Sequence, residues 1–141
     1  MFIRETFSIC SGDYQRAGEA SAAIKYKLKQ LGIGGAILRR VAVAAYEAEM
    51  NLVIHSLGGT LSLEVEPTYL WLFSQDTGPG IPDVDKAMQE GYSTANEEAR
   101  NLGFGAGMGL PNIKRNTNQF DIKSQPGIGT SIRMGFDLKE T

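Results

Sequence analysis

Cysteine and histidine are almost absent from this sequence, which has one of each, Cys10 and His55, among 141 residues. A single cysteine excludes an internal disulfide framework and a cysteine zinc cluster, and a single histidine excludes most multi-histidine metal sites. No stretch approaches the roughly 20 apolar residues that a membrane-spanning helix needs. The opening segment MFIRETFSIC is too short and too charged for a signal peptide. We therefore expect a cytoplasmic protein that does not bind membranes.

An excess of charge of one sign is also absent, because 14 Lys and Arg face 16 Asp and Glu and leave a net charge of −2. Such a balance gives no electrostatic footprint for nucleic acid or an anionic membrane. Apolar residues make up 42% of the chain and charged residues 21%, which is usual for a folded globular protein. The length suits one domain, so we expect residues 1–141 to form one. Glycine is the abundant residue, with 17 copies, and their positions direct the search for a site.

The hydrophobic pattern changes along the chain between a period of two and a helical period. It predicts strands at 2–10, 61–66, 69–75, 119–124 and 129–138, and helices from an N-cap within 11–13 to about 30, at 36–56, and from 109 to about 118. Between 76 and 110 the pattern dissolves, apart from a short helical run near 83–90. Strands and helices are too segregated for a βαβ repeat, so we expect an α+β fold with a largely antiparallel sheet and helices on one face. Trp71, in an apolar strand, is expected in the core.

Three polar residues interrupt the apolar surface of the second predicted helix. Glu47, Asn51 and His55 are four residues apart, and each step of four advances the helix face by only about 40°, so they form one stripe. A buried carboxylate is costly unless it is paired or used chemically. The stripe is therefore either a chemical site or a partly exposed polar edge beside Glu49, and His55 taken alone also fits an ordinary core or edge histidine.

The segment Asp76-Thr-Gly78-Pro-Gly80 directly follows a predicted strand. An ionised aspartate only accepts hydrogen bonds, so at a strand end it can select a ligand with an exocyclic amine, such as adenine. Glycines allow the backbone to approach a planar base, since no Cβ intervenes. The same composition also forms tight turns, and the segment alone does not distinguish the two.

Glycines at alternate positions, Gly103, Gly105, Gly107 and Gly109, precede the third predicted helix. Free backbone N–H groups followed by a helix N-terminus form an anion site, although a flexible loop without ligand has the same composition. The spacing does not match a dinucleotide G-x-G-x-x-G fingerprint, and no Gly-Lys pair is present for a Walker A motif. The lysine, H-R-D and D-F-G signatures of eukaryotic-type kinases are absent as well.

These motifs occur in one order: Glu-x-x-x-Asn on a helix, Asp-x-Gly-x-Gly, Gly-x-Gly-x-Gly-Leu, and 124-SQPGIGT-130. In that order they resemble the gyrase, heat-shock, histidine-kinase and mismatch-repair (GHKL) ATPase superfamily over about residues 2–138. A free-standing domain of this size is similar to the bacterial anti-sigma-factor serine/threonine kinases. The stretch IPDVDKAMQEGYSTA, followed by GMGLPNIKR, is most similar to the stressosome switch kinase. The resemblance implies a Bergerat-type ATP-binding fold, a two-layer α/β sandwich with a mixed, mostly antiparallel sheet.

The resemblance also implies roles for individual residues on the phosphate side of an ATP site. Glu47 stands at the position of the general base that deprotonates the incoming hydroxyl. Asn51 stands at the position whose amide oxygen holds Mg²⁺, a cation that takes few protein ligands. Backbone N–H groups of Gly105, Gly107 and Gly109 would bind the phosphates, and Leu110 would begin the helix behind them.

On the adenine side, the resemblance gives Asp76 the exocyclic amine and places Gly78 and Gly80 against the base. Thr130 would reach the same side, directly or through water. Residues from about 83 to 107 would form a lid over ATP, in which the charge of Arg100 suits the γ-phosphate.

The resemblance implies an ATP- and Mg²⁺-dependent serine/threonine protein kinase of a bacterial anti-sigma, partner-switching pathway. Its expected substrate is a sulfate-transporter/anti-sigma-antagonist (STAS) domain, with a sigma-pathway regulator as a second kind of partner, and the resemblance admits a homodimer. One alternative is a nucleotide-gated binding module that sequesters a regulator without significant phosphotransfer, and another is a simple ATP hydrolase. Glu47 favours the kinase, because a pure binder needs no carboxylate at that position.

Overall fold

The computed structural model describes residues 3–77, 88, 109–125 and 127–139, and it gives no side-chain environment for His55. The elements in chain order are β1 (Ile3–Ile9), α1 (Glu19–Gln30), α2 (Gly35–His55), β2 (Gly59–Val65), β3 (Tyr69–Asp76), α3 (Gly109–Asn116), β4 (Gln119–Gln125) and β5 (Gly129–Asp137). No helix within these described ranges combines the length and the apolar character needed to cross a membrane.

The described strands form a sheet in the order β1-β2-β3-β5-β4, and each neighbouring pair is antiparallel. The register places Leu63, Leu72 and Met134 opposite one another across β2, β3 and β5. All three side chains are fully buried, so this row fixes the face that the helices cover. The predicted α+β class with a mostly antiparallel sheet is confirmed.

Helix α2 lies at the centre of the hydrophobic core. Val41, Ala44, Ala45 and Ala48 have no exposed surface, as expected for a helix that is apolar on most sides. The core also takes Ile24 and Leu28 from α1, Ile113 from α3 and the inward residues of β2, β3 and β5. Because α2 packs against both other helices and the sheet, a polar residue on α2 stands at a defined position relative to all of them.

Trp71 lies on the sheet face that points away from the helices, so the prediction that it belongs to the core is wrong. Alternation along β3 gives the inward positions to Leu70 and Leu72 and leaves Trp71 half-buried on the other face. There its ring centroid lies 4.9 Å from that of Tyr69, and the guanidinium carbon of Arg133 lies 4.9 Å from the Trp71 centroid. A continuous apolar run specifies a strand without specifying which residues face the core.

The first helix begins at Glu19, later than the sequence indicates. Residues 11–13 do not cap it. The hydroxyl of Ser11 donates to the carbonyl of Ser56 at 2.6 Å, and the N–H of Gly12 donates to the carbonyl of Val53 at 2.8 Å. These bonds attach the β1–α1 connection to the C-terminal end of α2 and keep it out of the helix.

Candidate functional site

The carboxylate of Glu47 and the amide of Asn51 lie one helical turn apart on α2, both partly buried, beside the first residue of α3. A side-chain carbon placed on Gly109 would lie 3.5 Å from Asn51 Oδ1 and 3.6 Å from Glu47 Oε2. The absence of a side chain at this position therefore leaves room beside both oxygens. The structure brings together Glu47, Asn51 and Gly109, which are up to 62 residues apart in sequence.

Asn112 fixes the orientation of the Glu47 carboxylate. Its Nδ2 donates to Glu47 Oε2 at 3.3 Å, while its Oδ1 accepts from the guanidinium of Arg115. Because arginine only donates hydrogen bonds, Arg115 holds Oδ1 and turns the NH₂ group toward Glu47. Asn112 was not predicted as a site residue, since nothing in a single sequence pairs a residue of α3 with one of α2.

Buried apolar residues hold the start of α3 against the core. Leu110 is 7% exposed and Ile113 is fully buried. Pro111 stands in the first helical turn, where its missing N–H breaks no intrahelical bond. The N-terminus of α3 is therefore fixed beside the two oxygens of α2, and its free N–H groups make it a favourable place for an anion.

Asp76 ends β3 and is bonded to the next strand of the sheet. Its Oδ1 accepts the backbone N–H of Thr130 at 2.9 Å. Burial raises the pKa of the Asp76 carboxyl above its ordinary value, and the hydrogen bond from Thr130 opposes part of that rise. The Thr130 side chain is buried, and its hydroxyl lies 2.9 Å from the hydroxyl of Ser124. Ser124 is the first residue of the 124–130 motif, and no role was predicted for it.

Two glycines flank the backbone of Asp76. Gly59 is its partner across β2 and β3, and a Cβ there would lie 2.1 Å from the carbonyl oxygen of Gln75. Gly129, at the start of β5, has φ of 151°, and a Cβ there would lie 2.3 Å from the carbonyl oxygen of Asp76. Neither position accepts a side chain without a shift of backbone. Neither glycine was given a role in the site from the sequence, although a glycine in a strand also indicates close backbone approach.

Backbone hydrogen bonds join the segment that follows α2 to the end of β3. The N–H of Leu57 donates to the carbonyl of Thr77 at 3.4 Å, and the N–H of Thr77 donates to the carbonyl of Gly58 at 3.3 Å. The hydroxyl of Ser56 donates to the carbonyl of Leu52 at 2.7 Å and accepts the N–H of Gly58 at 2.9 Å. The last turn of α2, after Asn51, is therefore bonded to the end of the strand that carries Asp76. These contacts hold the group around Glu47 and Asn51 in a fixed position relative to the group of Asp76 and Thr130.

The remaining expected site residues, Gly78, Gly80, Gly105 and Gly107, lie outside the described residues, as does Arg100. The proposed lid and the short helix near 83–90 do too, except that Met88 is described and packs, half-buried, against the core. In the ranges that are described, no group of three or more His, Cys, Asp and Glu side chains could hold a metal ion. The amide oxygen of Asn51 suits Mg²⁺, a hard cation that keeps several waters and needs few protein ligands.

Comparison with known proteins assigns the fold to a family. The family described as histidine kinase-, DNA gyrase B-, and HSP90-like ATPases matches residues 36–140, from the start of α2 to beyond β5. The chain belongs to this ATPase family. The match contains every residue to which the sequence analysis gave a site role, and the expected GHKL membership is confirmed.

Relatives within the ATPase family narrow the assignment. The chain is 33% identical to the serine/threonine-protein kinase RsbT of Bacillus subtilis over 109 residues, which cover 74% of this chain and 76% of RsbT. It is 31% identical to an anti-sigma F factor of a Thermoanaerobacter species over 99 residues, covering 67% of this chain and 66% of that protein. These relatives support the anti-sigma-factor kinase branch of the family.

A solved structure shares the fold. A chain of the SiaB–SiaC complex from Pseudomonas aeruginosa superposes with a TM-score of 0.64, covering 94% of this chain and 88% of that chain. The sequence identity is 14%, so the likeness concerns the fold alone.

Proposed function

We propose that this GHKL ATPase domain is a serine/threonine protein kinase of a bacterial partner-switching pathway. The substrate we assign is a hydroxyl of a STAS-domain protein, and the cosubstrates are ATP and Mg²⁺. The observation that carries the proposal is the position of Glu47, which lies beside Asn51 and the start of α3 and is oriented by Asn112. The name of the Bacillus relative, a serine/threonine-protein kinase, supports it.

Glu47 acts in the proposal as the general base. Its carboxylate takes the proton of the incoming hydroxyl while that oxygen attacks the γ-phosphorus of ATP. The bond between the γ-phosphorus and the β,γ-bridging oxygen breaks, ADP leaves, and the proton passes from Glu47 to solvent. The hydrogen bond from Asn112 keeps the carboxylate aimed while the reacting groups assemble, which lowers the entropic cost of reaching the transition state.

Asn51 and the start of α3 are the groups that we assign to phosphate binding. The Asn51 amide oxygen would hold Mg²⁺, which when bound neutralises phosphate charge and fixes phosphate geometry. Backbone N–H groups at Gly109 and Leu110 belong to the first turn of α3 and are free of intrahelical partners, so they suit a phosphate oxygen. We assign Gly105 and Gly107 the same role on the strength of the family resemblance.

Asp76 selects the base. The N–H of Thr130 holds its Oδ1, so Oδ2 is the oxygen that we assign to the exocyclic amine of adenine. Guanine carries a carbonyl at the equivalent ring position, and two acceptors would then face each other. Thr130 is assigned to the same side, directly or through water, and Gly78 and Gly80 to the face of the base.

The cellular setting follows from the kinase assignment. We place the protein in the cytoplasm as a domain of residues 1–141, where a STAS-domain protein is its substrate and a sigma-pathway regulator or a second copy of the chain is a further partner. The anti-sigma F factor relative supports a second candidate, a module that holds a regulator when nucleotide is bound and transfers no phosphate.

Transfer of labelled γ-phosphate separates these two functions. The purified chain is incubated with labelled ATP, Mg²⁺ and each STAS-domain protein of the same genome, and the labelled residue is found by mass spectrometry. The kinase predicts label on one serine or threonine, and much slower labelling with Asn51→Ala. Binding of ATP and of a STAS protein without any transfer supports the binding module.

A further inference from the structure

A groove with a volume of about 560 Å³ is lined by residues of α1 and α2, among them the candidate catalytic base Glu47, and by Asn112 of α3. Its apolar floor comes from α2, where Leu38 and Val43 contribute. Three cations, Lys25 and Lys29 of α1 and Arg39 of α2, line it, and we call it the basic groove. Glu47 is the only carboxylate among the described residues that line it.

The three cations of the basic groove are exposed and lack partners in the described part of the chain. No ion pair or side-chain hydrogen bond joins any of them to a residue within those ranges, whereas Lys27 on the same helix lies 4.0 Å from Glu5 and Arg133 lies 2.8 Å from Asp121. Positive charge is thus concentrated along the groove in a chain whose net charge is −2. Charge complementarity favours an acidic occupant.

Glu47 lines the basic groove and also lies beside the start of α3, where the phosphate site is proposed. Asn112, which donates to Glu47 Oε2, lines the groove, while Gly109 approaches the same oxygen from the start of α3. In phosphoryl transfer the attacking and leaving oxygens stand roughly in line, on opposite sides of the phosphorus. An acceptor bound in the groove therefore has to present its hydroxyl beside Glu47, in line with the leaving oxygen of ADP.

We propose that the basic groove docks an acidic segment of the phosphoacceptor protein and delivers its hydroxyl to Glu47. The inference rests on the proposed kinase function. Arg39 and Glu47 are eight residues apart, about 12 Å along the axis of α2. An extended chain covers that distance in about four residues. The acceptor segment therefore carries its acidic residues about four positions from the serine or threonine.

Direct peptide binding tests the groove without requiring catalysis. The probe is a short serine peptide with a run of aspartates about four residues from the serine, and its reference carries asparagines in their place. Binding of labelled peptide to the chain with ADP and Mg²⁺ is followed by fluorescence anisotropy. We expect the acidic peptide to bind about 10-fold more tightly, a preference that falls with added salt. Equal binding of the two peptides overturns the proposal.

Charge removal locates the binding on the chain. Lys25→Gln, Lys29→Gln and Arg39→Gln are combined in one variant. The matched control combines Lys27→Gln, Lys123→Gln and Lys139→Gln, which do not line the groove and change the net charge equally. The groove variant loses the preference for the acidic peptide and the control keeps it, while ATP affinity and the unfolding midpoint stay the same in both. Equal loss in the two variants shows general anion attraction and overturns the proposal.

Kinetics with an acceptor protein distinguishes this proposal from the kinase assignment. The groove variant raises KM for the acceptor and leaves kcat unchanged at saturation, since its cations do not touch the reacting atoms. An unchanged KM overturns the docking proposal and leaves the kinase standing. Absence of transfer by the unmodified chain to any acceptor overturns the kinase and, with it, the acceptor role of the groove.

Discussion

Glu49 of α2 accepts the backbone N–H of Ser21 at 2.8 Å and thereby caps the first turn of α1 from a neighbouring helix. Its other oxygen accepts the N–H groups of Gly18 and Ala20 at 3.0 and 3.2 Å. The N-cap residue, Gly18, makes no side-chain bond of its own and has φ of 100°. The Glu49 side chain is almost fully buried, so it belongs to the helix-packing interface and not to the polar stripe of Glu47 and Asn51.

Glu49→Gln is expected to lower the free energy of unfolding by about 1–3 kcal/mol, because an NH₂ group replaces an oxygen that accepts buried N–H groups. Urea unfolding followed by circular dichroism measures the change. Glu19→Gln is the matched control, since Glu19 is an exposed residue of the same first turn and pairs with Arg16 at the surface. Similar midpoints for the two variants contradict the capping role of Glu49.

Asp76 makes stability depend on pH in a defined direction. Burial raises the pKa of the Asp76 carboxyl in the folded chain. The folded chain then keeps a proton that the unfolded chain has lost, so the free energy of unfolding falls as pH rises through this window, from about pH 4 upward. Asp76→Asn removes that contribution. The free energy of unfolding of both proteins is measured across this pH range, and the difference between them isolates the contribution of Asp76. A difference that does not change with pH contradicts the burial of this carboxylate.

Nucleotide choice tests the other role of Asp76. The chain is expected to bind ATP or ADP with Mg²⁺ and to prefer adenine to guanine, because an ionised carboxylate accepts from an amine and repels a carbonyl. Calorimetric titration with ATP and GTP measures the preference, and Asp76→Asn reduces it since an amide can also donate. Equal affinity of the unmodified chain for ATP and GTP removes Asp76 from this role.

Local signals predicted most of the fold. The strands begin and end within two residues of their expected bounds, because the alternation of apolar residues and the glycines of turns are signals carried by neighbouring residues. The predicted start of α1 was wrong because the residue that caps this helix is Glu49, about 30 residues later. The prediction that Trp71 lies in the core was wrong because an apolar run does not reveal which side of the sheet the helices cover.

The residues of the candidate site were also selected from the sequence, and their roles stay predictions. Motif order located Glu47, Asn51, Asp76, Gly109, Leu110 and Thr130, and the structure places them in two neighbouring groups. Asn112 and the close approach of Gly59 and Gly129 to the Asp76 strand were missed. They depend on contacts between distant elements, which spacing along a single chain does not show.

The phosphotransfer rate of Glu47→Ala tests the central claim most directly. A general base acts in the transition state, so its removal is expected to lower transfer of the γ-phosphoryl group to the STAS-domain acceptor by about 10²–10⁴-fold while ATP affinity stays nearly unchanged. Asn51→Ala is the comparison and is expected to weaken Mg²⁺-dependent nucleotide binding as well as rate. Transfer by Glu47→Ala as fast as by the unmodified chain would contradict the assignment of the base.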